Sequence, residues 1–137
     1  MSDPTSPLRS WAVSSTWFPG HETIIVARSA GQAKYRHWLD ISDSWSELPF
    51  TAMRVRAVKG FQESDRFRAN AEYRGIPFAK VGMRVRFDDG KLGTIVGHNS
   101  SANLDVILDG DDEPLNCHPA WQISYLVDGE WKRSTLA

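Results

Sequence analysis

The chain has 137 residues, 41% of them apolar and 24% charged, with 16 Lys and Arg against 17 Asp and Glu for a net charge of −1. Those values describe a soluble globular protein, one compact domain or two very small modules, and exclude a disordered chain. They also exclude the bulk positive charge on which general phosphate binding relies, and no apolar run approaches the roughly 20 residues that a membrane span needs.

Residues 1–20, "MSDPTSPLRSWAVSSTWFPG", are rich in Ser, Thr and Pro, with Trp11, Trp17 and Phe18 interleaved. They lack the basic start and apolar stretch of a secretory signal, and the composition predicts a flexible arm. Two readings suit its aromatics: they lie back on the body, or they form a peptide, Trp17 foremost, that docks on a partner. "ETIIVARS" (22–29) is a short β-branched run that predicts a buried strand. Ser29 then stands as a helix cap, with Gln32 three residues on completing a capping box. Tyr35, Trp38, Leu39 and Ser42 follow helical spacing, which predicts an amphipathic helix over Ala30–Ser42. In "TAMRVRAV" (51–58), Met53, Val55 and Ala57 alternate with Arg54 and Arg56, the mark of a strand with one buried and one wet face. Strand, helix and strand in succession predict a βαβ unit. "SDRFRANAEYRGIP" (64–77) supplies a second helix, Asp65–Arg74, capped by Ser64 and ended by Gly75 and Pro77.

From residue 79 the pattern changes to short strands separated by turns: "MRVRF", "LGTIVGH", "LDVILD", "PLNCH" and "WQISYL". Five such strands at close spacing predict a small barrel, which removes free edges by closing on itself. The sequence Met-Arg-Val-Arg occurs at 53–56 and again at 83–86, but nothing else matches at that thirty-residue offset. A true repeat carries its flanks along, so these are two strands with the same facial pattern. The expected fold class is therefore mixed α/β (α+β): an arm (1–20), a βαβ-α module (21–78), a five-stranded barrel (79–127) and a tail (128–137).

The candidate chemistry is sparse. Arg54 and Arg56 with Arg84 and Arg86 form a basic surface if their strands share a sheet; otherwise each is a solvated strand residue paired with an acid. The loop holding Asp109, Asp111, Asp112 and Glu113 lacks the ligand spacing of a calcium site and reads as a hairpin turn, although an acidic loop can dock on a basic protein surface. Cys117 is the one cysteine, so it has no internal disulfide partner, and a reducing cytosol is the simplest setting. Cys117 and His118 are adjacent on a strand and point to opposite faces, which disfavours a nucleophile–base pair. His98 reaching across to His118 or Cys117 gives at most three metal ligands without CxxC spacing, so no metal or other cofactor is expected. "NSS" at Asn99–Ser101 fits a glycosylation sequon and equally a turn. Trp121, in the turn before the last strand, is either an exposed binding aromatic or part of the core.

Two resemblances bear on residues 79–127. Val81-Gly82, Val85, Phe87, a turn, Gly93, Ile95 and Val96 resemble the KOW-type motif of SH3-like barrels. That likeness implies a binding module for RNA or for proteins of the transcription and translation machinery. "GHNSSANLDVILDG" followed by "NCHPAWQISY", together with "YRGIPFAKVGMRVRF", resembles small proteins of tailed bacteriophages and prophages. This second likeness implies a phage accessory gene and a bacterial cytosol, and it names no catalytic residue. The expected function is a non-enzymatic protein that binds a host or phage macromolecular complex, with inhibition of a bacterial defence system as one form. Contacts are expected from Trp121, His118, the 109–113 acids and Trp17. A nucleic-acid module built on the four arginines and a virion structural role are the alternatives. Neither a membrane nor a small-molecule substrate is implied.

Overall fold

A computed structural model describes residues 6–137. The chain divides into two units, Met1–Gln62 and Glu63–Ala137, each with its own core and its own antiparallel sheet.

In the first unit, strands β1 (Arg9–Ser15), β2 (Thr23–Ala27) and β3 (Met53–Val58) form a sheet in the order β2-β1-β3, with helix α1 (Ala30–Ser42) between β2 and β3 in sequence. The predicted flexible arm is thus corrected over residues 9–15, which form the central strand; residues 1–5 of that arm lie outside the described residues. The β1 sequence, "RSWAVSS", is short on large apolar groups because a middle strand in a small sheet is crowded. Ser10, Ala12 and Val13 are at most 1% exposed, and small side chains are what fits there. The βαβ expectation changes with it. Both β2 and β3 run antiparallel to β1, so they are parallel to each other as predicted, but they flank β1 instead of pairing directly.

Helix α1 begins where expected: the Ser29 hydroxyl accepts a hydrogen bond from the Gln32 N–H at 3.1 Å, satisfying one of the free donors of the first turn. Its inner face differs from the predicted stripe. Ala33, Trp38 and Ile41 pack on Val13, Ala27, Leu48 and Met53, whereas Tyr35 and Leu39 are exposed. Trp38 is fixed by donating from its indole to the Leu48 carbonyl at 2.9 Å.

Helix α2 (Asp65–Tyr73) belongs to the second unit, which moves the expected boundary at residue 78 back to residue 62. The physical reason is its apolar face. Phe67 and Ala71 pack with Val85, Ile95, Leu104, Val106, Ile123 and Tyr125 in one core. Ser64 caps its start, accepting from the Phe67 N–H at 3.0 Å. Its end is a Schellman turn: Ile76 N–H reaches the Ala71 carbonyl (2.9 Å), Gly75 N–H reaches Glu72 (3.2 Å), and Gly75 holds φ +72°.

The rest of this unit is a sheet of six strands in the order β7-β6-β5-β4-β8-β9: β4 (Arg84–Phe87), β5 (Leu92–His98), β6 (Leu104–Leu108), β7 (Leu115–Cys117), β8 (Ile123–Val127) and β9 (Glu130–Lys132). The five predicted strands are present and the first pairs with the last, Val85 opposite Tyr125. Two expectations are corrected. The sheet is not a closed barrel among the described residues, its outer strands β7 and β9 having no partner in common. The predicted tail supplies the sixth strand, because Asp128 (φ 50°) and Gly129 (φ 82°) make a two-residue hairpin turn that pairs Val127 with Glu130. Gly93 has a packing role at mid-sheet, since a Cβ there would lie 2.8 Å from Val106 Cγ1 and 3.0 Å from the Ile107 carbonyl oxygen.

Candidate functional site

The site grows from the five-residue connection His118–Gln122 between β7 and β8. Its anchor is Pro119, whose side chain is fully buried and whose carbonyl accepts the buried Tyr125 hydroxyl at 2.6 Å. Burial pushes the Tyr125 phenol well above its ordinary pKa, so that hydroxyl remains a donor. On either side of the anchor the chain turns tightly. The His118 Nδ1 accepts from the Ala120 N–H (3.1 Å), the His118 carbonyl accepts from Trp121 N–H (3.3 Å), and the Gln122 carbonyl accepts from Asp88 N–H (3.1 Å). Gln122 takes φ 56°, a left-handed conformation uncommon outside glycine. Trp121 therefore stands on a restrained turn and is 67% exposed.

Beside it lies a groove of about 350 Å³ walled by Phe87, Leu108, Leu115, Cys117, His118 and Trp121, with Asp88, Asp89 and Lys91 also lining it. That volume falls within the range of ordinary ligand pockets. A second depression is lined by Gly90, Leu92, Asp109 and Asp111, and shares Lys91 and Leu108 with the first. Three of the acids at these sites are ion-paired at the surface: Asp88 with Arg133, Asp89 with Lys91, and Asp109 with Arg84, which grips both its oxygens at 2.7 and 2.6 Å. The hydrogen bond from Arg84 to Asp109 raises the guanidinium pKa further.

The groove's own titratable groups are poor reagents. Burial, helped by the charge of Asp105, pushes the Cys117 thiol up to about 11, and its Sγ lies 3.6 Å from the Leu115 carbonyl oxygen. A neutral thiol is not a nucleophile. His118 faces two donors, Ala120 N–H at Nδ1 and Arg74 Nη1 at Nε2 (3.1 Å). A neutral imidazole accepts at one nitrogen only, so each tautomer satisfies one of them. His98 is occupied elsewhere, with Nδ1 2.9 Å from the Asn70 amide nitrogen and its ring edge-on to Phe67. Among the described residues no three His, Cys, Asp or Glu side chains gather where a metal ion could sit.

Comparison of the chain with protein-family models, with curated proteins and with solved structures finds no match.

Of the residues singled out from sequence, the fold brings Trp121 and His118 together on the groove and puts Asp109 and Asp111 beside it. Asp112 and Glu113 follow on the same β6–β7 loop. Trp17 belongs to the first unit, exposed in the turn after β1. The basic surface does not assemble as a sheet, because β3 and β4 lie in different sheets. Each arginine also has a local commitment. Arg54 Nη1 donates to the Thr51 and Met53 carbonyls, Arg56 is bidentate on Glu22, Arg84 is on Asp109, and Arg86 stacks 4.4 Å over the Trp131 ring. Sequence reasoning missed Leu115 and Phe87 as groove walls and Arg74 as the residue that backs His118. The alternation of Leu115 with Cys117 was the available signal for the first; no local pattern announces the last.

Proposed function

We propose that this is a phage-encoded, non-enzymatic binding protein of the bacterial cytosol that acts by protein–protein contact through the Trp121 groove, with a bacterial defence complex as one target of this kind. The observation that carries the reading is Trp121 itself. An indole two-thirds exposed on a turn held by Pro119 and Tyr125, beside an open apolar wall, is the kind of rigid aromatic that anchors interfaces. A strand order in which the first of five strands lies between the second and the fifth supports an SH3-like, KOW-type sheet, and the sequence likeness to phage proteins supports the origin. The commitments of all four arginines weigh against the nucleic-acid alternative. Among the described residues no helix is long and apolar enough to cross a membrane.

The test is affinity capture from phage-infected cells with the full chain and with Trp121→Ala, followed by mass spectrometry of protein and assay of nucleic acid at about 150 mM salt. A protein complex retained by the first and lost by the second is the expected result. Nucleic acid as the main species, lost on Arg54, Arg56, Arg84 and Arg86→Ala, would overturn it.

A further inference from the structure

Resting on that reading, we propose that the groove's occupant is an uncharged, proline-bearing segment of a partner protein, lying extended with a proline ring on the Trp121 indole and an apolar neighbour against Leu115. Three observations converge on this chemistry. Charge is the first. The two carboxylates lining this groove are matched within the chain, Asp88 by Arg133 and Asp89 by Lys91. A charged occupant would find no counter-charge left for it, whereas an uncharged one needs none. The second is the hydrogen-bonding inventory of the turn. Three carbonyls of the His118–Gln122 turn are taken: His118 by Trp121 N–H, Pro119 by the Tyr125 hydroxyl, and Gln122 by Asp88 N–H. The His118 ring faces Ala120 N–H and Arg74, and Asn116 Oδ1 accepts from Asn103. The exposed Trp121 indole N–H, in contrast, has no acceptor among the described residues. A groove with a spare donor and few spare acceptors suits proline, whose amide brings a carbonyl and no N–H to be left unpaired.

The third observation is the exposed apolar surface. Leu115 is 47% exposed on a wall completed by Phe87, Leu108 and Cys117. Trp121 presents an open ring on a turn that is already restrained. A pyrrolidine ring covers such a face without a polar atom to strip of water, and its fixed φ leaves less freedom to lose on binding than an ordinary residue has.

The experiment is an NMR titration of the full chain with an acetylated, amidated peptide of proline pairs alternating with leucine. Two controls accompany it, one with alanine at every proline and one with arginine at every leucine. The expected result is that shifts concentrate on the Trp121 indole N–H, Leu115 and Gln122, and that the proline–leucine peptide binds about tenfold more tightly than the alanine one. Its affinity should hold between about 50 and 500 mM salt, because no charge pairs form. Trp121→Phe keeps an aromatic face and the main-chain bond to His118, so the turn persists. Losing the indole donor should weaken the proline–leucine peptide about fivefold, the worth of one neutral hydrogen bond. Equal binding of the proline and alanine peptides, tighter binding of the arginine peptide, or indifference to Trp121→Phe overturns the inference. The two readings fail separately. A captured complex that depends on Trp121, with no proline preference, leaves the groove standing and removes this chemistry; capture indifferent to Trp121→Ala removes the groove.

Discussion

Replacing Gly75 by alanine tests the junction between the end of α2 and the last residues of the chain. Gly75 holds φ +72°, and a Cβ built there would stand 2.6 Å from Thr135 Oγ1 and 2.8 Å from both Ser134 Oγ and Leu136 Cγ. Those neighbours are not free to move, because Ser134 Oγ donates to the Arg74 carbonyl (2.7 Å) and Thr135 N–H donates to the Gly75 carbonyl (2.8 Å). The left-handed backbone costs alanine about 1 kcal/mol, and overpacking three held contacts adds about 1–3 kcal/mol. The total, roughly 2–4 kcal/mol, is a large part of a small unit's stability. Urea unfolding followed by circular dichroism should show a lower midpoint at unchanged slope. The informative comparison is a chain ending at residue 133, in which only the backbone part remains and the penalty falls to about 1 kcal/mol. An equal penalty in both chains would refute the packing of residues 134–136 against Gly75.

Further outcomes follow from the same physics. Tyr125→Phe leaves the buried Pro119 carbonyl without its donor and should cost about 1–3 kcal/mol, with the Trp121 amide exchanging faster in a hydrogen-exchange measurement. Ser64→Ala removes the α2 cap and should lower stability by about 1 kcal/mol in the same urea assay, whereas Ser64→Asp should keep most of it. Iodoacetamide should label Cys117 about a hundredfold more slowly at neutral pH than an ordinary thiol, from a pKa of about 11 against 9.0; labelling at the rate of a free thiol contradicts the burial. Because the folded thiol titrates higher than the unfolded one, its contribution to stability is complete below pH 9 and is lost as pH rises towards about 11. Stability measured across that window should fall with pH less steeply in Cys117→Ser. Arg84→Ala and Arg86→Ala should leave retention on immobilised DNA unchanged at low salt, as their guanidinium groups are engaged within the unit.

Much of the architecture was legible because it is local. Both helix starts are written in Ser29 and Ser64, the end of α2 in Gly75, and the strands of the second unit in alternation between turns. What escaped depends on distance in sequence. "RSWAVSS" carries no strong strand signal, and its role as the middle strand comes from pairing with residues 23–27 on one side and 53–58 on the other. The inner face of α1 was partly legible: Trp38 packs inside as its spacing indicates, but Ala33 and Ile41 complete that face, while Tyr35 and Leu39 stand outside it. Asp128-Gly129 is a readable hairpin turn, but only three residues of strand follow it, so the segment has the look of a tail. The groove was half legible. Trp121 stood out as a large residue in a turn, but the walls around it are set by which strands neighbour one another, and Arg74 reaches His118 from 44 residues away.

The position of β1 in its sheet bears on how the molecule is made and handled. Ser10 finds its partner Val58 only after 48 further residues have been added, so the opening stretch waits through most of the first unit's synthesis before its second edge is satisfied. A shortened product starting near residue 20 would leave β2 and β3 with no strand between them to share. Cutting there would therefore unmake the first unit's sheet while sparing the Trp121 turn's own hydrogen bonds.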